Sequence, residues 1–341
     1  MVLWRIANDE SDAAWDQHLR AARDAVVFQS AGWAAFKAQA GWRPFRAVAQ
    51  DDHGRVAAMV QFLVKRMPLG VTMAWAPGGP MWRFAEPVGE IRKEDWAGLF
   101  ALLTSQMPCV LARIDSYEPE SAGEPSPFGA SVRRPRHRIG SGASIRFDIA
   151  GGEDAFVAGM SSKHRYYLRK GLAAPLRWEA GATDRDIAAL VALHREMQTT
   201  KNLQSGALSE QTCRAMRDAL GPDGMTIVTG YVDDRPVTAC LTLDFADSAF
   251  YYLAATGAEG RKLSAAYAML PRLVAALHAK GIRRLDFGGT APDVSERAGV
   301  DHFKKGFGGE AVTYRGEWEA ASLPLLAPAA GLLMKWRGIT L

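Results

Sequence analysis

Apolar residues recur along this chain in two rhythms, one every second position and one every three to four, and the rhythms alternate in blocks. Helical spacing covers about 11–22 and 31–40; strand-like runs then cover 44–50 and 55–65, joined by the hairpin signal Asp51-Asp52-His53-Gly54. A third strand at 71–76 ends in Pro77-Gly78-Gly79-Pro80, a helix follows at about 92–106, and Val110–Asp115 is again strand-like. Residues 117–142, rich in Pro, Gly, Ser and Arg, read as an extended loop before the strand 144–149.

The order then repeats. Helices are expected over about 153–171, 184–200 and 209–219, and strands 225–232 and 236–245 meet at Asp233-Asp234-Arg235. A strand at 248–255 ends in Thr256-Gly257, a helix at 263–279 precedes the strand 282–286, and a last strand lies near 311–319. Val56-Ala57-Ala58-Met59-Val60 after one turn matches Val237-Thr238-Ala239-Cys240-Leu241 after the other, and Arg113-Ile114-Asp115 matches Arg284-Leu285-Asp286 after the following helix. Two copies of a hairpin–strand–helix–strand unit imply a duplicated α/β domain, although convergent hairpin patterning would look similar.

At 341 residues the chain can form two such domains, each with its own core, so no disulfide or metal staple is required. Cys109, Cys213 and Cys240 form no CxxC or Cys/His cluster and read as small buried hydrophobes in a reducing compartment. A formal charge of +4 permits an anionic partner (a nucleotide, tRNA or sugar diphosphate) without demanding one. The first twelve residues are acidic where a secretory leader is basic, so a mature cytoplasmic protein is expected. No run spans a membrane. The C-terminal 323–341, broken by prolines and carrying Lys335, Trp336 and Arg337, either packs on the protein or lies on the inner face of the membrane as a peripheral contact.

A strand that runs into a glycine turn and then a helix points backbone N–H groups at the turn, and such a terminus attracts phosphate by about 0.3–1 kcal/mol per interaction. Thr256-Gly257 opens such a turn, and Arg261-Lys262-Leu263-Ser264-Ala265-Ala266 is the candidate donor segment, through Arg261 and Ser264. Ser264 serves equally well as a helix cap. The first half has nothing similar before its 92–106 helix and is expected not to bind a donor.

Four stretches carry a family resemblance. They are Phe28-Gln29-Ser30-x-x-Trp33-x-x-Phe36-Lys37 with Gly79-Pro80; Lys163-His-Arg165-Tyr166-Tyr-Leu-Arg169-Lys170; Met197-x-Thr199-Thr200-Lys201-Asn202; and Asp286-Phe-Gly-Gly289 followed by Gly299-Val-Asp-His-Phe303-Lys304-Lys-Gly306-Phe307-Gly308-Gly309. Together, in this order, they resemble the FemABX family, whose members add amino acids to cell-wall precursors. The resemblance implies an α/β (α+β) fold of two tandem GNAT-like acyltransferase domains with mixed central sheets. Here those are 1–147, with 318–341 packing back on it, and 148–317 carrying the donor site.

It implies an N-acyltransferase taking an aminoacyl group from aminoacyl-tRNA, or an acyl group from acyl-CoA, as co-substrate, with no resident cofactor and no metal. The acceptor would be an amine of a cell-envelope glycan or nucleotide-sugar precursor, of peptidoglycan type or an exopolysaccharide amino sugar. By position, Lys304 falls at the reaction centre beside Phe303, while Lys37, Lys201 and Tyr252 fall among groups that hold the phosphorylated acceptor. The tyrosine expected after Lys201 is replaced by Ser205, and Ser264 stands where the GNAT pyrophosphate loop has its first glycine.

Aminolysis of an ester needs a neutral amine, a stabilised oxyanion and a proton for the leaving group. Lys304 can supply the charge, and the glycines at 306, 308 and 309 would let backbone approach a substrate; otherwise Lys304 is solvated and the glycines simply turn the chain. Asp115 and Asp286 both end strands and either could accept the amine's proton; Asp115 is the candidate base, while Asp286 is suited as well to an Asx cap of the turn after it. Of Lys163, Arg165, Arg169 and Lys170 several share a helix face, which suits a tRNA backbone, and Arg133–Arg138 would suit a nucleotide; solvated surface is the alternative for both. A GNAT-like module that has lost catalysis and only binds a nucleotide or glycan is the remaining alternative.

Overall fold

The computed structural model describes residues 2–67, 70, 72–84, 91–107, 110–120, 127–129, 132–201, 208–290 and 298–322. The chain divides into two compact units, Met1–Ala143 with Val312–Leu341, and Ser144–Ala311. Cys109, Ser205 and the C-terminal 323–341 lie outside the described residues.

The first unit contains β1 (Leu3–Ile6), α1 (Asp12–Arg20), α2 (Ala31–Ala38), β2 (Arg43–Gln50), β3 (Val56–Arg66), β4 (Thr72–Pro77), α3 (Asp95–Gln106) and β5 (Val110–Pro119). The second contains β6 (Ala143–Asp148), α4 (Gly152–Gly159), α5 (Ser162–Leu172), β7 (Arg177–Gly181), α6 (Asp184–Lys201), α7 (Glu210–Leu220), β8 (Met225–Val232), β9 (Arg235–Phe245), β10 (Ser248–Thr256), α8 (Ala258–Lys262), α9 (Ala265–Ala279), β11 (Arg284–Asp286) and α10 (Ala298–Lys305). The strand β12 (Glu310–Ala321) then joins the first unit's sheet, antiparallel to β5.

Each unit repeats one plan. In the first, β2, β3 and β4 are antiparallel neighbours and β4 runs parallel to β5 across the α3 crossover. In the second, β8, β9 and β10 are antiparallel and β10 runs parallel to β11 across α9. The parallel pairs differ. β4 and β5 stay in register through Pro77 opposite Asp115, the last residue of β4. By contrast β10 and β11 pair only from Ser248–Arg284 to Phe250–Asp286, and β10 runs on to Thr256 paired with β9 but no longer with β11. A register shift in β10 at Tyr252 accompanies the separation.

Three expected elements change. The helix expected over 153–171 is two, because Met160 is extended and Ser161 starts afresh, its side chain accepting from the His164 N–H. The helix expected at 263–279 is preceded by the short α8, with Ser264 in left-handed conformation between them. The loop expected from 117 starts later, since β5 continues to Pro119 opposite β12. The edge strands β1 and β7 and the helix α10 were not anticipated at all.

The N-terminal signature builds a buried polar knot. Gln29, fully buried, donates to the carbonyls of Gln61 (3.1 Å) and Pro77 (2.9 Å) and accepts from the Gln61 N–H (2.8 Å). Gln61 in turn donates to Ser30 O and accepts from Arg46 Nε. A side chain at Gly79 would lie 2.6 Å from the Gln29 amide, which is why glycine precedes Pro80. Gln29→Ala leaves two carbonyls and an N–H buried without partners, so we expect it to destabilise the first unit by about 3 kcal/mol or more. Urea unfolding followed by tryptophan fluorescence checks this, since Trp178 is the one tryptophan in the sequence of 144–311.

Candidate functional site

Where β10 and β11 part, the chain turns through Phe287-Gly288-Gly289. Asp286 accepts from the Gly288 N–H at 2.7 Å, the Asx turn expected of it. Its carboxylate also receives the Ser144 hydroxyl, and Arg146 lies at 3.6 Å. Asp286 is therefore engaged in shaping the loop. Onto that loop α10 brings Lys304, whose half-buried ammonium donates to Gly288 O (3.1 Å) and Gly289 O (2.9 Å).

The placement of Lys304 is fixed from behind by a residue the sequence reading passed over. His164 is buried on the inner face of α5, with Leu168 and Gly171 one and two turns on. Its Nε2 donates to Phe303 O at 2.9 Å, and its Nδ1 accepts the Ser161 hydroxyl at 3.1 Å. Burial lowers its pKa, so the neutral ring that makes both bonds is favoured. Gly306 owes its identity to this ring, because a Cβ there would stand 1.8 Å from His164 Cε1. This corrects the expected use of the glycines: 306 admits His164, while 308 and 309 lie against Gly159 O and the Phe147 ring. Phe303 is likewise a packing residue, edge-on to Tyr267 at 5.2 Å and to Phe307 at 4.9 Å.

The expected donor turn is occupied by the protein itself. Glu196 of α6 accepts from the Ala258 N–H at 2.8 Å, at the start of α8, and lies against Gly257. Ser264 is buried, with its carbonyl 2.9 Å from where a side chain on Gly171 would be. Arg261 is exposed and donates back to Thr256 O. Glu196 thus takes up the start of this turn at Gly257-Ala258, ahead of the Arg261–Ala266 segment.

On α5, Lys163, Arg169 and Lys170 are exposed; Arg165 is exposed too, but its guanidinium caps the carbonyl of Met160. Tyr167 stacks on Tyr267 at 4.9 Å, a core role. Tyr252 sits half-buried at the β10 irregularity, its phenol pushed up first by burial and then by the nearby Cys213. Lys201 ends α6, and its side chain lies outside the described residues. Burial likewise pushes the thiols of Cys213 and Cys240 up to about 11 and about 12, as inert core cysteines require.

In the first unit, Lys37 lies in the last turn of α2 with its ammonium 4.7 Å above the Trp33 ring, and burial pushes its pKa down to about 8. Its positive charge is therefore lost as pH rises through about 8, and any anion held there is released with it. At pH 8 and limiting acetic anhydride, Lys37 is expected to be acetylated about tenfold faster than a surface lysine, as peptide mass mapping would show. Asp115 is 4% exposed, and burial pushes its carboxyl up to about 8, with Glu317 adding and Arg113 opposing. At pH 7 it is mostly protonated.

Residues 158–305 match the acetyltransferase (GNAT) domain family. This stretch is similar to a GNAT domain. Among solved structures the chain is similar in fold to FemX, at TM-score 0.79 and 15% identity over 94% of this chain and 98% of that one. A tandem GNAT protein from the clavulanic acid pathway aligns at TM-score 0.53 and 13% identity, over 95% and 99%. A C-terminal domain assigned to a lysylphosphatidylglycerol synthetase of Agrobacterium fabrum aligns at 0.54 and 14%, over 96% and 97%. At such identities the likeness is one of fold: tandem GNAT-like units, with an acyltransferase domain in the second. No curated protein matches the sequence. No helix among the described residues is long and apolar enough to cross a membrane.

Proposed function

We propose that this protein transfers an aminoacyl group from aminoacyl-tRNA to an amine of a cell-envelope glycan precursor of the peptidoglycan type. The observation that carries the reading is the Lys304 ammonium, held on two carbonyls at the mouth left by β10 and β11. The amine attacks the ester carbonyl, a tetrahedral oxyanion forms, and the C–O bond to the ribose breaks as that oxygen takes up the proton that the amine loses. A fixed cation favours the oxyanion and the leaving alkoxide, which departs less readily than a thiolate. The exposed cations of α5 suit a phosphate backbone. Glu196 at the α8 turn weighs against coenzyme A.

The second reading, acyl-CoA-dependent acylation of an exopolysaccharide amino sugar, is supported by the acetyltransferase domain match. One experiment separates them. Purified protein is given either a charged tRNA pool or labelled acetyl-CoA, each with bacterial envelope precursors. Label passing only from tRNA supports the proposal; label passing only from acetyl-CoA replaces it with the second reading.

A further inference from the structure

The first unit contains a recess of about 340 Å³, lined among the described residues by Asp115, Glu120, Arg134, Arg138, Tyr314 and Glu317 with adjoining backbone. That figure includes space open to solvent, so the recess suits only a small ligand. Most of the charge around it is matched. Arg113, 1% exposed, holds Glu317 at 3.2 Å and Glu319 at 2.8 Å, and Arg133 takes the other Glu319 oxygen at 3.1 Å. The second Glu317 oxygen accepts from the N–H groups of Ile139 and Gly140. Arg134 lies over the Trp318 ring at 3.8 Å, donates to Arg315 O and Glu317 O, and pairs with Glu120 at 3.4 Å.

Two groups stay unmatched. Asp115, though 4% exposed, accepts no hydrogen bond and makes no ion pair among the described residues. Glycine at 140 keeps its carboxyl open to the recess, since a Cβ there would come within 3.1 Å of Oδ2. Arg138, exposed on the lining, makes no ion pair within 4 Å among the described residues, although its charge acts on Glu317 from farther off. A buried carboxyl without a partner is costly, and a guanidinium on the same recess offers the complementary charge. We propose that this recess binds a small zwitterion of the α-amino-acid type, its ammonium on Asp115 and its carboxylate on Arg138.

The charge state gives the proposal a sign. The groups facing Asp115 are Arg113 on β5, Glu317 and Tyr314 on β12, Glu120 after β5, and Arg134 and Arg138 on the segment before β6. Burial and Glu317 keep Asp115 mostly protonated at pH 7 in the empty recess, its pKa being about 8. An ammonium requires the carboxylate, so seating it expels a proton below about pH 8. An anion seated on Arg138 alone would leave that proton in place. Binding is independent of turnover, so this proposal and the acyl-transfer reading stand or fall separately.

Calorimetry at pH 7, in two buffers of different ionisation enthalpy, tests it with glycine, methylamine and acetate at matched ionic strength. Glycine is expected to bind about tenfold more tightly than either half-molecule, with release of about one proton. Arg138→Ala should bring glycine down to the level of methylamine, and Asp115→Asn should abolish the proton release. Acetate or inorganic phosphate binding as tightly as glycine would overturn the proposal in favour of an anion site. Absence of glycine binding to the wild type, or binding without proton release, would overturn it as well. Should Asp115→Asn fail to fold, the wild type at pH 9 replaces it: glycine must still bind, now without releasing a proton.

Discussion

Lys304→Ala is expected to slow acyl transfer about 10²–10³-fold in kcat while moving the melting temperature by only a few degrees. The two effects separate because of where the ammonium sits. It donates to the neutral carbonyls of Gly288 and Gly289, and losing those two bonds costs about 1–2 kcal/mol. In the transition state the same group would face a full oxyanion. Lys304→Met keeps the alkyl stem and should be as inactive as alanine, whereas Lys304→Arg should recover part of the rate. Activity retained by the methionine variant would reduce Lys304 to a packing residue and remove the main support for the proposed chemistry.

The largest loss of stability is expected from Gly306→Ala. The added methyl would overlap the His164 ring, with Cε1, Nδ1 and Nε2 at 1.8, 2.2 and 2.3 Å. The ring has little room to yield, because Tyr267 lies 5.0 Å and Phe307 4.8 Å from its centroid. Displacing it breaks the bonds to Phe303 O and Ser161 together. Overpacking and two lost hydrogen bonds amount to about 3–5 kcal/mol, or roughly 6–15 °C in melting temperature for a unit of this size. His164→Ala in the Gly306→Ala background should restore much of that loss, since it empties the space the methyl needs. A single Gly306→Ala variant melting with the wild type would show that the helix end accommodates the methyl freely.

Part of this architecture was legible in the order of residues. Strands β2, β3, β8, β9 and β10 and their hairpins follow from local rules: short apolar runs closed by Asp-rich turns. The duplication was visible for the same reason, since each unit writes the same pattern. The edge strands escaped notice because they carry little apolar signal: β1 is four residues of alternating exposure, and Arg177-Trp178-Glu179-Ala180-Gly181 of β7 is half polar. The helix α10 was missed because it is short and holds Gly299, although its Phe303-Lys304 pair stood out chemically.

The candidate site was legible in its charged member only. Lys304 and the Asp286-Phe-Gly-Gly loop could be singled out, and the Asx role of Asp286 follows from its two-residue reach to Gly288. The bond from His164 to Phe303 joins residues 139 apart, and the Glu196 bond to Ala258 joins residues 62 apart. No local pattern announces either pairing. The same holds for Asp115, whose strand position could be read but whose raised pKa depends first on burial and then on Glu317 lying opposite it on the adjacent strand. Sequence alone determined the repeated elements and the reactive residue types, because backbone periodicity and side-chain chemistry are local properties. Tertiary structure alone decided which charges are matched, which glycines are filled and which acid keeps its proton, because burial and Coulomb energy depend on neighbours that folding brings together.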